Sequence, residues 1–202
     1  ISREEFVYLI GESGAGKSTL LKLIFLAELP SSGDIMIDKF YLSRISKRQI
    51  PILRRNIGMI FQDYKLLPKR TVYENVAFAL RVMHVPSKKI KPLVNHALEL
   101  VGLEEKQSCW PHELSGGEQQ RICIARAIVN NPPILLCDEP TGNLDPETSW
   151  EIVQLLTKIN SYNTTVVMAT HDTDIVNGIP KRVIEMKRGK IVRDQHLGAY
   201  SQ

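Results

Sequence analysis

Apolar residues along this chain follow two different periods. Short, nearly unbroken apolar runs predict buried strands at Phe6–Ile10, Pro133–Cys137 and Thr164–Thr170. Between the first two runs, much of the segment from residue 63 to residue 129 repeats its apolar residues every three or four positions, as an amphipathic helix does. Strands in the outer segments and helices in the inner one predict an α/β fold with a parallel sheet and an inserted helical part.

Three helices are predicted in the inner segment. The first covers Thr71–Met83, the second runs from about Ser87 to Val101, and the third covers Glu118–Val129. Pro92 lacks the N–H that a helix interior needs, so a kink or a later start of the second helix is expected.

A glycine-rich loop follows the first apolar run and matches the P-loop pattern G-x-x-x-x-G-K-[ST]. Its glycines can take positive φ angles that turn successive backbone N–H groups inward, and they leave room for phosphate oxygens. Lys17 is expected to contact the β- and γ-phosphates of a nucleotide, and the Ser18 hydroxyl to bind Mg²⁺. The predicted phosphate-binding residues are Gly11, Glu12, Ser13, Gly14, Ala15, Gly16, Lys17, Ser18 and Thr19.

The second apolar run ends in two acids, Asp138 and Glu139, before Pro140 stops it. The carboxyl ends of parallel strands border the ligand crevice of a sheet. Asp138 is therefore the candidate Mg²⁺ ligand, and Glu139 is the candidate base that polarises the attacking water. The third run leads to His171 at the same edge, where its side chain could donate a hydrogen bond to a γ-phosphate.

A second anion site is predicted at the start of the third helix. The motif Leu114-Ser-Gly-Gly-Glu118 supplies a serine hydroxyl and backbone N–H groups at a helix N-terminus, where the helix dipole favours an anion. One ATP cannot easily occupy both helix ends of a single chain, so two copies are expected to share nucleotides. A glycine-rich helix cap without a ligand is the alternative. The predicted ligand-binding residues of this motif are Ser115, Gly116, Gly117 and Glu118.

These motifs occur in the order seen in ABC-type ATPase domains, and the resemblance spans nearly the whole chain. It includes Gln62 after Gly58-Met-Ile-Phe61, and the segment Gly142-Asn-Leu-Asp145. The resemblance implies that Gln62 contacts Mg²⁺ and the attacking water, that Asp145 belongs to a loop crossing to a second subunit, and that His171 is a switch histidine. It also implies ATP and Mg²⁺ as ligands, and a head-to-tail homodimer with two ATP molecules at its interface.

The positions of the motifs divide the chain into two parts. Residues 1–62 and 130–202 are predicted to form a discontinuous RecA-like core of the P-loop NTPase class, and residues 63–129 a helical signature subdomain. A groove for a partner helix is expected just after Gln62, and ordinary packing beneath the helical subdomain is the alternative. The candidate groove residues are Tyr64, Leu66, Leu67 and Pro68.

One feature departs from the ABC pattern. Such domains normally carry about two strands and an adenine-stacking aromatic residue before the P-loop strand, whereas this sequence starts at Ile1, a few residues before Phe6. The N-terminal strands and the adenine-stacking segment are therefore expected to be absent, either because the residues are part of a longer protein or because the protein lacks that platform.

Within the ABC family, the stretch from Arg54 to Asn75 and the segment Asp138-Glu-Pro-Thr-Gly-Asn-Leu-Asp145 resemble the cell-division branch of bacteria, in its Gram-positive or actinobacterial form. The resemblance implies an integral membrane partner of the FtsX type and ATP-driven activation of peptidoglycan hydrolases. ATPase subunits of lipoprotein-releasing and macrolide-exporting complexes are the alternative. A nucleic-acid-linked ABC ATPase is disfavoured because such proteins contain long heptad coiled coils, which this sequence lacks.

Composition agrees with a peripheral subunit on the cytoplasmic face of a membrane. The 202 residues are 43% hydrophobic, enough for a globular core, and the longest apolar runs are too short to span a bilayer. No signal segment opens the sequence, so a cytoplasmic location is expected. Cys109, Cys123 and Cys137 form no C-x-x-C pair and are expected to be reduced, without a disulfide or a metal cluster.

The net charge of +4 is unevenly distributed. Residues 44–91 hold twelve Lys or Arg against Asp63 and Glu74, a local balance of +10, and the remainder sums to −6. One interpretation is a set of solvated faces. The other is a surface that faces anionic lipid and an acidic segment of the membrane partner, where each basic residue gains on the order of 1 kcal/mol.

Overall fold

The central strand, β1 (Phe6–Ile10), is buried on both of its sides. Phe6 and Tyr8 belong to one apolar cluster, and Val7 and Leu9 to another, because successive side chains of a strand point to opposite faces of the sheet. A strand that is covered on both faces needs apolar residues at every position. This is why the segment is recognisable as an unbroken apolar run.

The computed structural model describes residues 1–200, and its main sheet places β1 near the middle. The other strands of this sheet are β4 (Ile57–Ile60), β5 (Ile134–Asp138), β6 (Thr165–Ala169), β7 (Lys181–Lys187) and β8 (Lys190–Gly198). Their order is β4-β5-β6-β1-β7-β8, in which all neighbours are parallel except β7 and β8. A separate hairpin pairs β2 (Met36–Ile37) with β3 (Phe40–Tyr41).

Helices cover both faces of the sheet. One face carries α1 (Lys17–Ile24) and α2 (Ile50–Arg55). The other face carries α3 (Val72–Val82), α4 (Ser87–Leu100), α5 (Gly116–Ile128), α6 (Pro146–Asn160) and α7 (Thr173–Gly178). Short 3₁₀ helices lie at Leu42–Arg44, Glu104–Lys106 and Pro111–Glu113. Among residues 1–200, no helix has the length and apolar character needed to cross a membrane.

Of the two effects predicted for Pro92, the later start of α4 is wrong, and a kink stays a prediction. The helix begins at Ser87 and continues through Pro92. The proline removes one backbone hydrogen bond, whereas the apolar face that includes Ile90, Val94 and Leu98 is buried against the core. Tertiary packing supplies most of a helix's stability, so this buried face outweighs the missing bond.

The helical segment does not have a core of its own. Buried residues of α3, α4 and α5 belong to the same apolar cluster as one face of the main sheet. The strands of that sheet come from residues 6–60 and 134–198. The division of the chain into two subdomains stays a prediction, with residues 1–62 and 130–202 as the core and residues 63–129 as the helical part.

The apolar pattern does not predict β7 and β8. Most residues of β8 are exposed, so its sequence carries no apolar run. The hairpin is instead defined by its turn, where Arg188 and Gly189 have φ angles of 51° and 77°. Successive positive φ angles are typical of the tight turns that join antiparallel strands. The Arg182 side chain, which donates hydrogen bonds to Asp194 at 2.7 and 2.8 Å, then joins the two strands.

Candidate active site

The loop between β1 and α1 has the glycine conformations that a phosphate site needs. Gly11, Gly14 and Gly16 have φ angles of 143°, 79° and 103°, in the region that other residues avoid. A Cβ atom at position 11 would lie 2.3 Å from the carbonyl oxygen of Met186, which excludes a side chain there. The loop therefore depends on glycine for its shape, and Gly16 ends it as the N-cap of α1.

Lys17, the first residue of α1, directs its side chain back to this loop. Its side chain is only 4% exposed, and its Nζ donates hydrogen bonds to the carbonyl oxygens of Gly11 at 2.7 Å and Glu12 at 3.2 Å. The Glu139 carboxylate lies 3.7 Å from the same nitrogen. The ammonium group is thus held by weak, neutral acceptors beside one carboxylate, and phosphate oxygens would be stronger partners for it.

Ser18 and Asp138 come together although they are 120 residues apart in the sequence. The Ser18 Oγ donates a 2.7 Å hydrogen bond to Asp138 Oδ1. Ser18 lies in the first turn of α1 and Asp138 ends β5, so the parallel sheet places both at its carboxyl edge. One hydroxyl and one carboxylate are the hard oxygen donors that Mg²⁺ uses when nucleotide phosphates complete its coordination, so the residues present fit this ion.

Glu139 and His171 face each other at the same edge. The distance from His171 Nδ1 to Glu139 Oε1 is 3.3 Å. Glu139 has a φ angle of 48°, and its backbone N–H donates a 3.0 Å hydrogen bond to Ala169 at the end of β6. Strained backbone at a non-glycine residue is typical of functional sites, where neighbouring contacts hold it in place.

Gln62 reaches the same place from the end of β4. An ideal Cβ atom at Gly142 would lie 3.6 Å from both Gln62 Nε2 and Glu139 Oε2, so the amide and the carboxylate flank this glycine. The side chain of Asn143 also donates a 3.3 Å hydrogen bond to the Gln62 carbonyl oxygen. The structure therefore brings the candidate catalytic residues Gln62, Glu139 and His171 to one place, where Glu139 also lies beside the P-loop lysine.

The Ser-Gly-Gly motif begins α5 with a capping box. The Ser115 Oγ accepts a 3.2 Å hydrogen bond from the Glu118 backbone N–H, and the Glu118 carboxylate accepts one of 2.9 Å from the Ser115 N–H. The hydrogen bond from the Ser115 N–H is the main reason why the pKa of Glu118 lies below its usual value. The nearby Lys106 ammonium group lowers this pKa further. The capping partners fix the helix start, which leaves the glycine N–H groups as its anion donors.

Asp145 has a structural role in this chain. Its carboxylate caps α6 by accepting hydrogen bonds from the Thr148 N–H at 2.9 Å and the Thr148 hydroxyl at 2.6 Å. The hydroxyl contact is the main cause of the lowered pKa of Asp145. Thr148 also lies against the Ser-Gly-Gly motif, because a Cβ atom at Gly117 would be 2.6 Å from its methyl carbon. A nucleotide contact of Asp145 stays a prediction.

Known proteins are similar to this chain over nearly its whole length. A model of the ABC transporter family matches residues 1–142. The chain is 53% identical to the cell division ATP-binding protein FtsE of Streptococcus pneumoniae, over 97% of this chain and 85% of that protein. The chain belongs to the ABC transporter family. This ABC ATPase is also 55% identical to FtsE of Bacillus subtilis, over 97% of its own length and 86% of that protein.

Solved structures agree with this assignment. The chain superposes with a TM-score of 0.86 on a dimeric ATP-binding cassette in a post-hydrolysis state with ADP and phosphate bound, at 36% identity over 99% of this chain and 88% of the other. CbiO1 of Clostridium perfringens, part of an ABC transporter complex, gives a TM-score of 0.88 at 36% identity, over 97% and 78% of the two chains. The predicted P-loop NTPase fold, the ABC ATPase class and the resemblance to the cell-division branch are confirmed.

Several contacts that shape the site of this ABC ATPase are not evident from the sequence patterns. Thr148 belongs to no phosphate-binding pattern, yet it joins Asp145 to Gly117. Arg126 donates two hydrogen bonds to the backbone just after Gln62. The contacts of Thr148 with Gly117 and of Arg126 with Tyr64 and Lys65 link residues far apart in the chain, so no local spacing signals them.

Proposed function

We propose that this ABC ATPase is the ATP-hydrolysing subunit of a bacterial cell-division complex at the cytoplasmic face of the plasma membrane. Its partner would be an integral membrane protein of the FtsX type, and the complex would use ATP-driven dimerisation to activate peptidoglycan hydrolases. The observation that carries this proposal is the 53–55% identity to cell division ATP-binding proteins, which extends over 97% of the chain.

The residues at the sheet edge suit ATP hydrolysis. Lys17 and the loop N–H groups would bind the β- and γ-phosphates, and Ser18 and Asp138 would hold Mg²⁺. Mg²⁺ would supply neutralisation of the phosphate charge when bound. Glu139 would accept a proton from the attacking water, which its position beside the lysine and His171 supports.

Dimerisation would complete each site. The N-terminus of α5 offers glycine N–H groups to an anion, and Ser115 and Glu118 already satisfy each other. A second copy, placed head to tail, would bring that helix end onto the γ-phosphate held by this chain's P-loop. The dimeric form of the related cassette with ADP and phosphate supports this arrangement.

The proposed partnership predicts ATP hydrolysis and partner-dependent membrane recruitment. Vesicles containing the FtsX-type protein should bind the chain in sedimentation assays, whereas lipid-matched vesicles without that protein should bind at least tenfold less. ATP hydrolysis should be measurable for the chain bound to the partner vesicles. Equal binding to both vesicles, with active ATP hydrolysis, would show an ABC ATPase whose partner is a different protein.

The basic surface at the start of α4 is a candidate contact for the membrane complex. Lys88, Lys89 and Lys91 are exposed in the first turns of this helix. Positive charge is unfavourable near a helix N-terminus, so these lysines do not serve helix stability. Exposed Phe78 and Val82 lie on the preceding helix, and no acidic residue occurs between positions 75 and 98.

Reversing Lys88, Lys89 and Lys91 to glutamate is expected to weaken recruitment to partner vesicles at least tenfold, since each basic residue near an anionic surface gains about 1 kcal/mol. The fold should be retained, because glutamates favour a helix N-terminus. A matched control reverses three exposed lysines elsewhere, Lys22, Lys39 and Lys158. Equal recruitment of both triple variants in sedimentation assays would refute the contact.

A further inference from the structure

The backbone just after Gln62 is in an uncommon conformation. Tyr64 and Lys65 have φ angles of 56° and 51°, so two successive residues with side chains lie in the left-handed region. Such a conformation persists only where surrounding contacts determine it. The contacts that hold this segment therefore decide where Gln62 can lie.

Those contacts come from the C-terminal half of α5. The Arg126 guanidinium donates one hydrogen bond to the Lys65 carbonyl oxygen at 2.6 Å and another to the Tyr64 carbonyl oxygen at 2.8 Å. The Cys123 thiol donates to the Tyr64 oxygen at 3.0 Å. Burial raises the pKa of this thiol to about 12, so it keeps its proton and remains a donor. Two neighbouring carbonyl groups thus receive three hydrogen bonds from one helix.

The first turn of α5 touches the same segment. An ideal Cβ atom at Gly116 would lie 3.2 Å from the Tyr64 hydroxyl oxygen. The Tyr64 side chain therefore lies at the N-terminus of α5, and the Tyr64 backbone is bound by Arg126 near the other end of this helix. The two points are about ten residues apart, which is about 15 Å along the helix. A displacement of the backbone at Tyr64 must carry the whole helix with it or break the three hydrogen bonds.

We propose that Arg126 is a positioning residue that couples the two ATP sites of the dimer, by tying the movement of Gln62 to the movement of α5. This inference rests on the proposed function. Within one chain, Gln62 belongs to the site built on that chain's own P-loop, whereas the N-terminus of α5 serves the nucleotide held by the second copy. A planar guanidinium that binds two carbonyl oxygens at once is a rigid link between them.

The test replaces Arg126 with methionine, which keeps a long stem in the half-buried position and removes both hydrogen bonds. In wild type, ATP hydrolysis as a function of ATP concentration is expected to show a Hill coefficient above 1.5, since two sites that cooperate can approach 2. For Arg126→Met, we expect a coefficient near 1. The affinity of the monomer for a fluorescent ATP analogue should change less than about twofold, because Arg126 does not touch the P-loop residues that would bind it.

The matched control is Arg121→Met on the same helix. Arg121 also donates to a backbone oxygen, that of Val101 at 3.1 Å, and pairs with Glu151, but it does not contact the segment after Gln62. It should keep the wild-type Hill coefficient. If Arg126→Met does not fold, Arg126→Lys takes its place. Lysine keeps the positive charge but lacks the planar guanidinium that binds two carbonyl oxygens at once, so it should lower the Hill coefficient as well.

Two results would overturn the coupling role. One is that Arg126→Met, or Arg126→Lys in its place, has the same Hill coefficient as Arg121→Met and wild type. The other is a wild-type coefficient of 1 in an enzyme that hydrolyses ATP normally. Failure of wild type to hydrolyse ATP at all would instead refute the proposed function, so the two failures can be told apart.

Discussion

Glu139→Gln is expected to lower the rate of ATP hydrolysis at least a hundredfold while ATP binding is retained. Glutamine has the same shape as glutamate but cannot accept a proton from water, and general base catalysis contributes about 10²–10⁴ in rate. Phosphate binding rests on other groups, the loop N–H groups and Lys17. The measurements are phosphate release at saturating ATP and the binding of a fluorescent ATP analogue.

The same variant should form a stable dimer in ATP and Mg²⁺. If ATP joins two copies and hydrolysis separates them, a subunit that binds without hydrolysing stays paired, and light scattering should show twice the monomer mass. Wild type should dimerise only transiently. Glu99→Gln, which changes an exposed glutamate on α4, is the matched control and should hydrolyse ATP as wild type does.

A monomeric Glu139→Gln that still binds ATP would contradict the two-site dimer for the isolated chain. Pairing would then need the membrane partner. Unreduced hydrolysis in this variant would contradict the role of Glu139 itself, and His171, whose Nδ1 lies 3.3 Å from the Glu139 carboxylate, would become the next candidate base.

The parts of the site that were predictable from sequence depend on local patterns. Phe6–Ile10 is apolar at every position because the strand is covered on both faces, and the P-loop follows it directly. Asp138 also ends a buried run. Because parallel strands end at one edge of the sheet, the meeting of Ser18 with Asp138 follows from topology once the strands are recognised.

The parts that sequence did not predict depend on contacts between distant residues. The 2.6 Å bond from Arg126 to Lys65 joins residues 61 positions apart, and nothing in either neighbourhood encodes it. Asp145 is a different case, because its carboxylate caps α6 through Thr148, only three residues away, and an Asp before a Pro is itself a helix-start signal. Pro92 lies inside a helix because tertiary burial outweighs local propensity.

The hydrogen bonds of the Lys17 side chain could not be predicted either. Its ammonium group donates to the Gly11 and Glu12 carbonyl oxygens, six and five positions earlier in the chain, and its contact with phosphates stays a prediction. These two hydrogen bonds hold the lysine side chain against the loop. A long side chain that protein contacts already order loses less entropy when it binds a ligand.

Replacing Lys17 with methionine is accordingly expected to weaken ATP binding at least about thirtyfold. Truncating one partner of a buried charge pair costs about 2–5 kcal/mol, and 2 kcal/mol corresponds to about thirtyfold in affinity. The variant should lose ATP-dependent dimerisation as well, since the γ-phosphate would no longer be held at the interface. Titration with a fluorescent ATP analogue and light scattering measure the two effects.

Lys22→Met is the matched control, because Lys22 lies on the same helix with an exposed side chain that pairs with Glu28 at 3.8 Å. Thermal unfolding of both variants separates nucleotide binding from stability. Methionine at position 17 leaves the Gly11 and Glu12 carbonyl oxygens without their lysine partner, so a modest loss of stability is expected alongside the loss of affinity. Equal affinity of wild type and both variants for the analogue would contradict the phosphate-binding role of Lys17. Lys17 would then only stabilise the loop, and the loop N–H groups alone would bind the phosphates of ATP.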